Sequence, residues 1–272
     1  MTAGKKLRIG KIAYANVFPI FYMLERMCDS SQIEIVEGVP SELNAMLRAG
    51  VLDISPSSSV EYLNHPELYT YINGISISSR GPVGSVFLFS KKPLQNLSGE
   101  EIAVTSQSAT SVVLLDLLLR EAGIRNVRYV STQRAEFARA DAFLLIGDDA
   151  LIYRLRTGAG NEHFVYDLGE LWYQQNGLPF VFALWIVRKD LIRDESRQKL
   201  LHRFTADLDA AKRQSLARLG EIAHASPLAG QLSAKELLSY WSKLDYELED
   251  EHVRSMHLFS TKVFGHACTQ AG

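Results

Sequence analysis

The stretch "RGPVGSVFLFSK", residues 80–91, joins a turn to a short apolar run and decides how the chain is divided. Its glycines and proline are typical of a turn, and the run that follows has the length and composition of a strand buried on both faces. A second stretch of the same kind, "NGLPFVFALWIVRK", occurs at 176–189. We therefore expect the chain to leave one lobe near residues 86–92 and to return to it near residues 180–188.

Short apolar runs alternate with helical patterns around these two stretches, which is typical of α/β proteins. From about Asp194 onward the pattern is almost wholly helical. Two α/β lobes joined by two crossing strands are the plan of type II periplasmic-binding proteins. The sequence therefore predicts that fold, with a central crevice between the lobes and a helical C-terminal region. The predicted lobes are residues 1–88 with 186–272, and residues 89–185.

Composition and charge favour a small-molecule partner. A formal net charge of −2 gives no reason to expect nucleic acid or an anionic membrane surface as a partner. The two cysteines, Cys28 and Cys268, lie far apart in the chain, which favours free thiols and a reducing compartment. The first residues contain no apolar segment of an export signal, and no later run is long enough to span a membrane. We expect a cytoplasmic protein, and the sequence leaves its oligomeric state open.

Polar side chains follow most of the predicted strands at the edge that faces the crevice. Helix starts at this edge offer unpaired N–H groups and a partial positive charge, which hold carboxylates. Arg80 can pair with a carboxylate through two parallel hydrogen bonds. The sequence therefore predicts a crevice that binds a small anion. The substrate-binding candidates are Ser57, Ser58, Arg80, Gly84, Ser106, Ser108, Thr110 and Asp148.

Each of these candidates also has a structural interpretation. Serine and threonine at a helix start are common N-caps, and Asn16 can be one as well. An acid such as Asp148 is favoured at a helix start by the helix dipole. Arg80 can be a surface cation, and Gly84 can simply shape a turn.

Other chemical motifs are missing from the sequence. It contains no glycine-rich phosphate loop, no dinucleotide fingerprint, no histidine pair at metal-binding spacing and no nucleophile elbow. The residues themselves therefore give no indication of a nucleotide or metal site. The segment "YWSKLDYELEDEHVRSMHLF" at 240–259 has the pattern of an amphipathic helix pair, and we interpret it as packing.

Seven motifs together resemble one family, the MqnA family of chorismate dehydratases on the futalosine route to menaquinone. The resemblance runs from about residue 7 to about residue 260. The motifs are "YANVFP" (14–19), "VPSELN" (39–44), "SISSRGPVGSV" (76–86), "TSQSATSV" (105–112), "LLIGDDAL" (144–151), "YDLGELW" (166–172) and "GLPFVFALWIVR" (177–188). It implies an enzyme that removes water from chorismate, giving 3-[(1-carboxyvinyl)oxy]benzoate, without a metal or an organic cofactor.

The resemblance also implies roles for particular residues. Asn16 matches an asparagine near the reacting ring, and Ser85 matches a serine at the substrate, so both are the catalytic candidates. Ser57, Ser58, Ser106 and Thr110 fall in motifs of the crevice walls. Because the motifs offer few bases, we hypothesise that the enolpyruvyl carboxylate of chorismate itself removes the C3 proton.

Two alternatives remain open from the sequence. One is the related 1,4-dihydroxy-6-naphthoate synthase, which shares the fold; the hinge motif "SSRGPVGSV" at 78–86 favours the dehydratase. The other is a non-catalytic cytoplasmic protein that only binds a small anion, because a fold does not fix a function. The missing export signal makes a transporter component the less favoured form of this second alternative.

Overall fold

The computed structural model of the chain describes residues 6–105, 109–132, 140–157 and 163–265. Within these residues the chain forms two five-stranded mixed sheets with helices packed around them. The predicted α/β class is therefore confirmed.

The first sheet has the strand order β2-β1-β3-β10-β4. β1 pairs in parallel with β2 and β3, whereas β10 runs antiparallel to β3 and β4. Its strands are β1 (Leu7–Lys11), β2 (Ile33–Glu37), β3 (Ile54–Ser58), β4 (Tyr69–Ser79) and β10 (Phe180–Arg188).

The second sheet repeats this plan with the order β7-β6-β8-β5-β9. β6 pairs in parallel with β7 and β8, and β5 runs antiparallel to β8 and β9. Its strands are β5 (Val86–Ser90), β6 (Glu101–Val104), β7 (Arg128–Ser131), β8 (Ala142–Ile146) and β9 (Phe164–Asp167). The two crossing strands, β5 and β10, therefore hold the same position in their sheets.

A stretch that contains glycine and proline precedes each of these two strands. β5 belongs wholly to the second sheet and β10 wholly to the first, so the predicted lobe boundaries at residues 88 and 186 fall inside strands. An apolar run carries no signal that tells which sheet it joins, and only the pairing decides it. We propose that the lobes change at residues 80–85 and 177–179, where the glycines and prolines lie.

The helices cover both sheets and continue after β10 as a helical C-terminal region, as predicted. None of the described helices combines the length and the apolar character needed to cross a bilayer. The helices are α1 (Phe18–Met27), α2 (Pro40–Arg48), α3 (Ser59–Asn64), α4 (Ala109–Glu121), α5 (Gly147–Thr157), α6 (Leu168–Asn176), α7 (Lys189–Ile192), α8 (Glu195–Ala217), α9 (Leu219–Ala225), α10 (Ala234–Trp241) and α11 (Asp250–Phe264).

The last helix, α11, packs against parts of the chain on both sides of the second crossing. Trp172 of α6 donates through its indole Nε1 to Ser255 Oγ at 3.1 Å. The Phe259 ring packs edge-on against Trp172 and against Phe180 of β10. The C-terminal region therefore contacts both α6, which follows the last strand of the second sheet, and β10, a strand of the first sheet.

Candidate active site

A cavity of about 320 Å³ lies between the two sheets. This is within the usual range of small-molecule sites, about 300–1,000 Å³. Its walls come from the carboxyl ends of β1, β3 and β8, from α2, α3 and α4, from the first crossing and from β10. The polar residues that line it are Tyr14, Asn16, Ser41, Asn44, Arg48, Ser58, Glu61, Ser85, Thr110 and Ser111.

Asn16 lines this cavity on a loop that three distant groups hold in place. The backbone carbonyl of Asn16 accepts from the Tyr246 hydroxyl at 2.7 Å. The preceding residue, Ala15, donates its N–H to Asp148 at 2.9 Å and accepts at its carbonyl from Trp241 Nε1 at 2.8 Å. The loop is therefore fixed from the second lobe and from the C-terminal region together.

Ser85 lines the cavity at the end of the first crossing and is 2% exposed. The turn before it is anchored by the buried carboxylate of Asp167, which accepts from the N–H groups of Val83 at 3.0 Å and Gly84 at 2.7 Å. The Ser85 hydroxyl accepts from the Tyr240 hydroxyl at 2.9 Å. The side chain and the backbone of this serine are thus positioned by separate groups.

Arg48 and Glu61 form a charged pair in the cavity wall that the sequence analysis did not identify. Arg48 Nη1 donates to both carboxylate oxygens of Glu61 at 2.7 Å, and the Tyr69 hydroxyl donates to the same carboxylate at 3.2 Å. Glu61 is 8% exposed, whereas the Arg48 side chain is 40% exposed. Within the described residues, the hydrogen bonds of the Arg48 guanidinium are made by Nη1 alone.

The first turn of α4 contributes hydroxyls to the opposite wall. Thr110 and Ser111 line the cavity and are each 6% exposed. Among the described residues, Thr110 Oγ1 finds no hydrogen-bond partner. This hydroxyl lies at the start of a long helix, where the backbone N–H groups carry a partial positive charge.

Asp148 lies behind the cavity at the start of α5, where its carboxylate holds the Ala15 N–H. Burial, helped by the neighbouring Asp149 carboxylate, raises the pKa of Asp148 to about 6, although the bond from Ala15 opposes this. Burial, together with both of these carboxylates, raises the pKa of Tyr14 to about 12. Asp148 therefore joins the two lobes through the backbone, and the structure does not place it in the cavity wall.

Arg80 lies outside the cavity, in contrast to the expectation from the sequence. Its guanidinium donates to Asp245 at 2.8 Å, to Glu249 at 3.2 Å and to Glu251. Burial by itself would raise the pKa of Asp245, but hydrogen bonds from His252, the Glu247 amide and Arg80 hold it at about 2. With three carboxylates around it, Arg80 binds the C-terminal segment; among the described residues, Arg48 is the arginine that lines the cavity.

The remaining candidates are placed as follows. Ser58 lines the cavity and caps α3, since its hydroxyl accepts from the Glu61 N–H at 3.2 Å. Ser57 is buried and its hydroxyl has no partner among the described residues, but it is not part of the cavity wall. The N–H of Gly84 is taken by Asp167, so its contribution is the positive φ of the turn. Ser106 and Ser108 lie outside the described residues.

The sequence pattern contains only a weak indication of Arg48, Glu61, Tyr240 and Trp241. Arg48 closes α2, where a basic residue is favoured by the helix dipole, and Glu61 lies in the first turn of α3, so each has an ordinary local explanation. Tyr240 and Trp241 lie in the segment interpreted as packing. In the described part of the chain, no group of three or more His, Cys, Asp or Glu side chains is arranged to hold a metal ion.

Comparison with known proteins identifies the family. A family model described as menaquinone biosynthesis matches residues 7–264. The chain belongs to this family. The chorismate dehydratase of Thermus thermophilus is 36% identical over 259 residues, which cover 89% of this chain and 89% of that protein. The resemblance inferred from the seven motifs is confirmed.

Solved structures show the fold of this family member. A protein of Archaeoglobus fulgidus superimposes with a TM-score of 0.73 at 19% identity, covering 96% of each chain. The periplasmic aliphatic sulphonate binding protein SsuA of Escherichia coli superimposes with a TM-score of 0.67 at 16% identity, covering 96% of this chain and 92% of that one. These likenesses confirm the periplasmic-binding-protein-like fold.

Proposed function

We propose that this member of the menaquinone biosynthesis family is a chorismate dehydratase. It eliminates water from chorismate and gives 3-[(1-carboxyvinyl)oxy]benzoate. The observation that carries the proposal is the cavity between the sheets, in which Asn16 and Ser85 of the family motifs meet Arg48 and the start of α4. The similarity to the chorismate dehydratase of Thermus thermophilus supports the same activity.

The cavity suits the two carboxylates of chorismate. Arg48 keeps two donor nitrogens beside its bond to Glu61, and charge-assisted bonds of this kind are among the stronger ones in proteins. Thr110 and Ser111 offer hydroxyls at the positive end of α4. We assign one substrate carboxylate to Arg48 and the other to the α4 turn.

The base is proposed to come from the substrate. Among the described residues, Glu61 is the one acid that lines the cavity, and neither His nor Lys lines it. Both oxygens of Glu61 accept from Arg48, and one also accepts from Tyr69, so this carboxylate is already neutralised. The enolpyruvyl carboxylate of chorismate is attached through the ether at C3 and can reach the C3 hydrogen. Loss of that hydrogen and of the C4 hydroxyl makes the ring aromatic, which lowers the demand on a weak base.

Asn16 and Ser85 then act on the reacting end of the ring. The side-chain amide of Asn16 offers both a donor and an acceptor, and it holds the substrate in the pose that brings the carboxylate to C3. The Ser85 hydroxyl stabilises the negative charge that develops on the departing C4 oxygen. Removing either group should lower kcat far more than it weakens binding.

Incubation of the purified protein with chorismate tests this proposal. Liquid chromatography with mass detection should show an aromatic product lighter than chorismate by one water, and Asn16→Ala and Ser85→Ala should each slow its formation. Binding of chorismate without any turnover would support the anion-binding alternative instead. The cytoplasmic location stays a prediction of the sequence.

A further inference from the structure

Tyr240 of α10 contacts the catalytic serine from behind the cavity wall. Its hydroxyl donates to Ser85 Oγ at 2.9 Å, and both residues are 2% exposed. Tyr240 is not part of the cavity wall, whereas Ser85 is. The bond therefore joins a residue that cannot touch the substrate to one that can.

The bond decides where the Ser85 proton points. A serine hydroxyl has one proton to donate and two lone pairs that accept. Because Tyr240 donates to one lone pair of Ser85 Oγ, the proton of the serine hydroxyl points away from Tyr240. We infer that it points into the cavity, which Ser85 lines. A hydroxyl that accepts a bond also becomes a stronger donor, since bonds in a chain polarise one another.

The position of Tyr240 is fixed by its helix. α10 begins with a capping box between Ser233 and Glu236, and the next residue after Tyr240, Trp241, donates to the Ala15 carbonyl. Burial raises the pKa of the Tyr240 phenol, so it stays protonated and remains a donor at neutral pH. The last turn of α10 thus supports both catalytic motifs.

We propose that Tyr240 is a positioning residue for the dehydration, which orients and polarises the Ser85 hydroxyl toward the leaving oxygen on C4. This role rests on the proposed function. Neither hydroxyl loses its proton in the step. The C3 proton passes to the enolpyruvyl carboxylate, the C3–H electron pair forms the new ring double bond, and the C4–O bond breaks with its pair on oxygen. The hydroxide released is protonated by the carboxylic acid just formed and leaves as water.

A double-mutant cycle tests this role. Single-turnover rates with enzyme in excess are measured with chorismate for the wild type, Tyr240→Phe, Ser85→Ala and the double variant. We expect Tyr240→Phe to lower the single-turnover rate about tenfold, because one hydrogen bond to the reacting group is lost. The KM for chorismate, measured at steady state, should stay within about twofold of the wild type. In the Ser85→Ala background the same change should have no further effect. Ser85→Thr keeps the hydroxyl, and in that background the tenfold loss should return.

Controls separate this role from a structural one. Tyr166→Phe removes a phenol that accepts from the Leu94 N–H at 2.8 Å in the second lobe, and it should leave the rate unchanged. A Tyr240→Phe variant that is as active as the wild type, or that loses the same factor with and without Ser85, overturns the proposal for Tyr240 alone. A wild-type protein that never converts chorismate overturns the proposed function, and the role of Tyr240 with it.

Discussion

The Trp241 indole donates through Nε1 to the carbonyl of Ala15 at 2.8 Å, although 226 residues separate them in the chain. The bond ties the end of α10 to the loop that carries Asn16. Trp241 is 1% exposed and Ala15 is 3% exposed, so water cannot replace this donor. The C-terminal region therefore contributes to the geometry of the site as well as to the core.

Replacement of Trp241 by Phe is the first prediction. The variant keeps an aromatic ring but leaves the buried Ala15 carbonyl without its donor, which costs about 1–3 kcal/mol. The loop that positions Asn16 should then be held less firmly, so kcat should fall together with the free energy of unfolding. Denaturant melts and steady-state kinetics with chorismate measure the two effects.

Trp185→Phe is the matched control for this change. Trp185 is 0% exposed, and its Nε1 has no hydrogen-bond partner among the described residues. Its replacement removes a similar volume without removing a hydrogen bond, so it should lower stability by less and leave kcat nearly unchanged. Equal losses of kcat in the two variants would mean that ring volume matters and the bond to Ala15 does not.

The pH dependence of stability tests the environment of Asp148. Its pKa in the fold is about 6, above the value of 3.8 for a solvated aspartate. Between pH 3.8 and about 6 the folded state binds more protons at this carboxyl than the unfolded state does. The stability that this group contributes is therefore fully present below about pH 3.8. It is lost as the pH rises through about 6. Asp148→Asn should therefore raise the free energy of unfolding at pH 8 by up to about 3 kcal/mol, and the melting temperature should rise with it.

Asp149→Asn makes the same change of charge on the next residue of α5, and because the Asp149 carboxylate helps to raise the pKa of Asp148, it should give a smaller gain at pH 8 than Asp148→Asn. The gain of Asp148→Asn over the wild type should shrink toward zero near pH 4, where the wild-type carboxyl is protonated. Thermal melts at several pH values record both variants. A gain that stays constant across the pH range would contradict the raised pKa.

The fold could be predicted from the sequence more completely than the candidate site could. The two glycine- and proline-led apolar runs indicate the crossings, because turn residues and strand residues differ in local conformational preference. They do not indicate that β5 and β10 insert between other strands, which depends on pairing over long separations. Asn16, Ser58, Ser85 and Thr110, which the sequence offered as candidates, line the cavity, and their roles toward a substrate stay a prediction.

Arg80 and Arg48 show why the rest of the site could not be predicted. Arg80 lies in the hinge motif but is drawn to carboxylates of the C-terminal segment, about 165 residues away in sequence. Arg48 ends a helix with an ordinary pattern, and only the packing of α2 and α3 against the same strand, β3, brings it to Glu61. Charge pairs between distant segments leave no local sequence pattern.

Replacement of the two arginines by methionine should therefore give different results. Arg48→Met removes the proposed anchor of a substrate carboxylate and should raise KM for chorismate about ten- to hundredfold, as expected for a charge-assisted bond. Arg80→Met should leave KM unchanged and lower the melting temperature, since it frees three carboxylates of the C-terminal segment. Steady-state kinetics and thermal melts of both variants measure this.

Arg48→Met leaves the buried Glu61 carboxylate without its charged partner, and Arg48→Lys is the variant that avoids this. It keeps a charge for Glu61 but lacks the second pair of donors, so KM should still rise while the fold is retained. Should Arg80→Met be the variant that weakens chorismate binding, with Arg48→Met binding normally, the assignment of the substrate carboxylate to Arg48 is wrong.

The carboxylate of Asp167 fixes the turn before Ser85, and its replacement is the last prediction. It accepts from Val83 and Gly84 of the crossing and also caps α6, where it accepts from the Gly169 N–H at 2.9 Å. In Asp167→Asn the side-chain nitrogen cannot accept, so at least one buried N–H of the crossing loses its partner, at a cost of about 1–3 kcal/mol. Because that N–H belongs to the turn that places Ser85, kcat should fall as well.

Asp194→Asn isolates the part of this effect that belongs to the crossing. Asp194 also caps a helix, α8, by accepting from the Ser196 N–H at 3.0 Å and the Arg197 N–H, but it is exposed and contacts no part of the cavity wall. Asparagine and aspartate are nearly equivalent as N-caps, so this variant should change stability by only a few tenths of a kcal/mol and leave turnover intact. If Asp167→Asn behaves in the same way as Asp194→Asn, Asp167 is a helix cap alone, and the position of Ser85 depends on Tyr240 and on the pairing of β5.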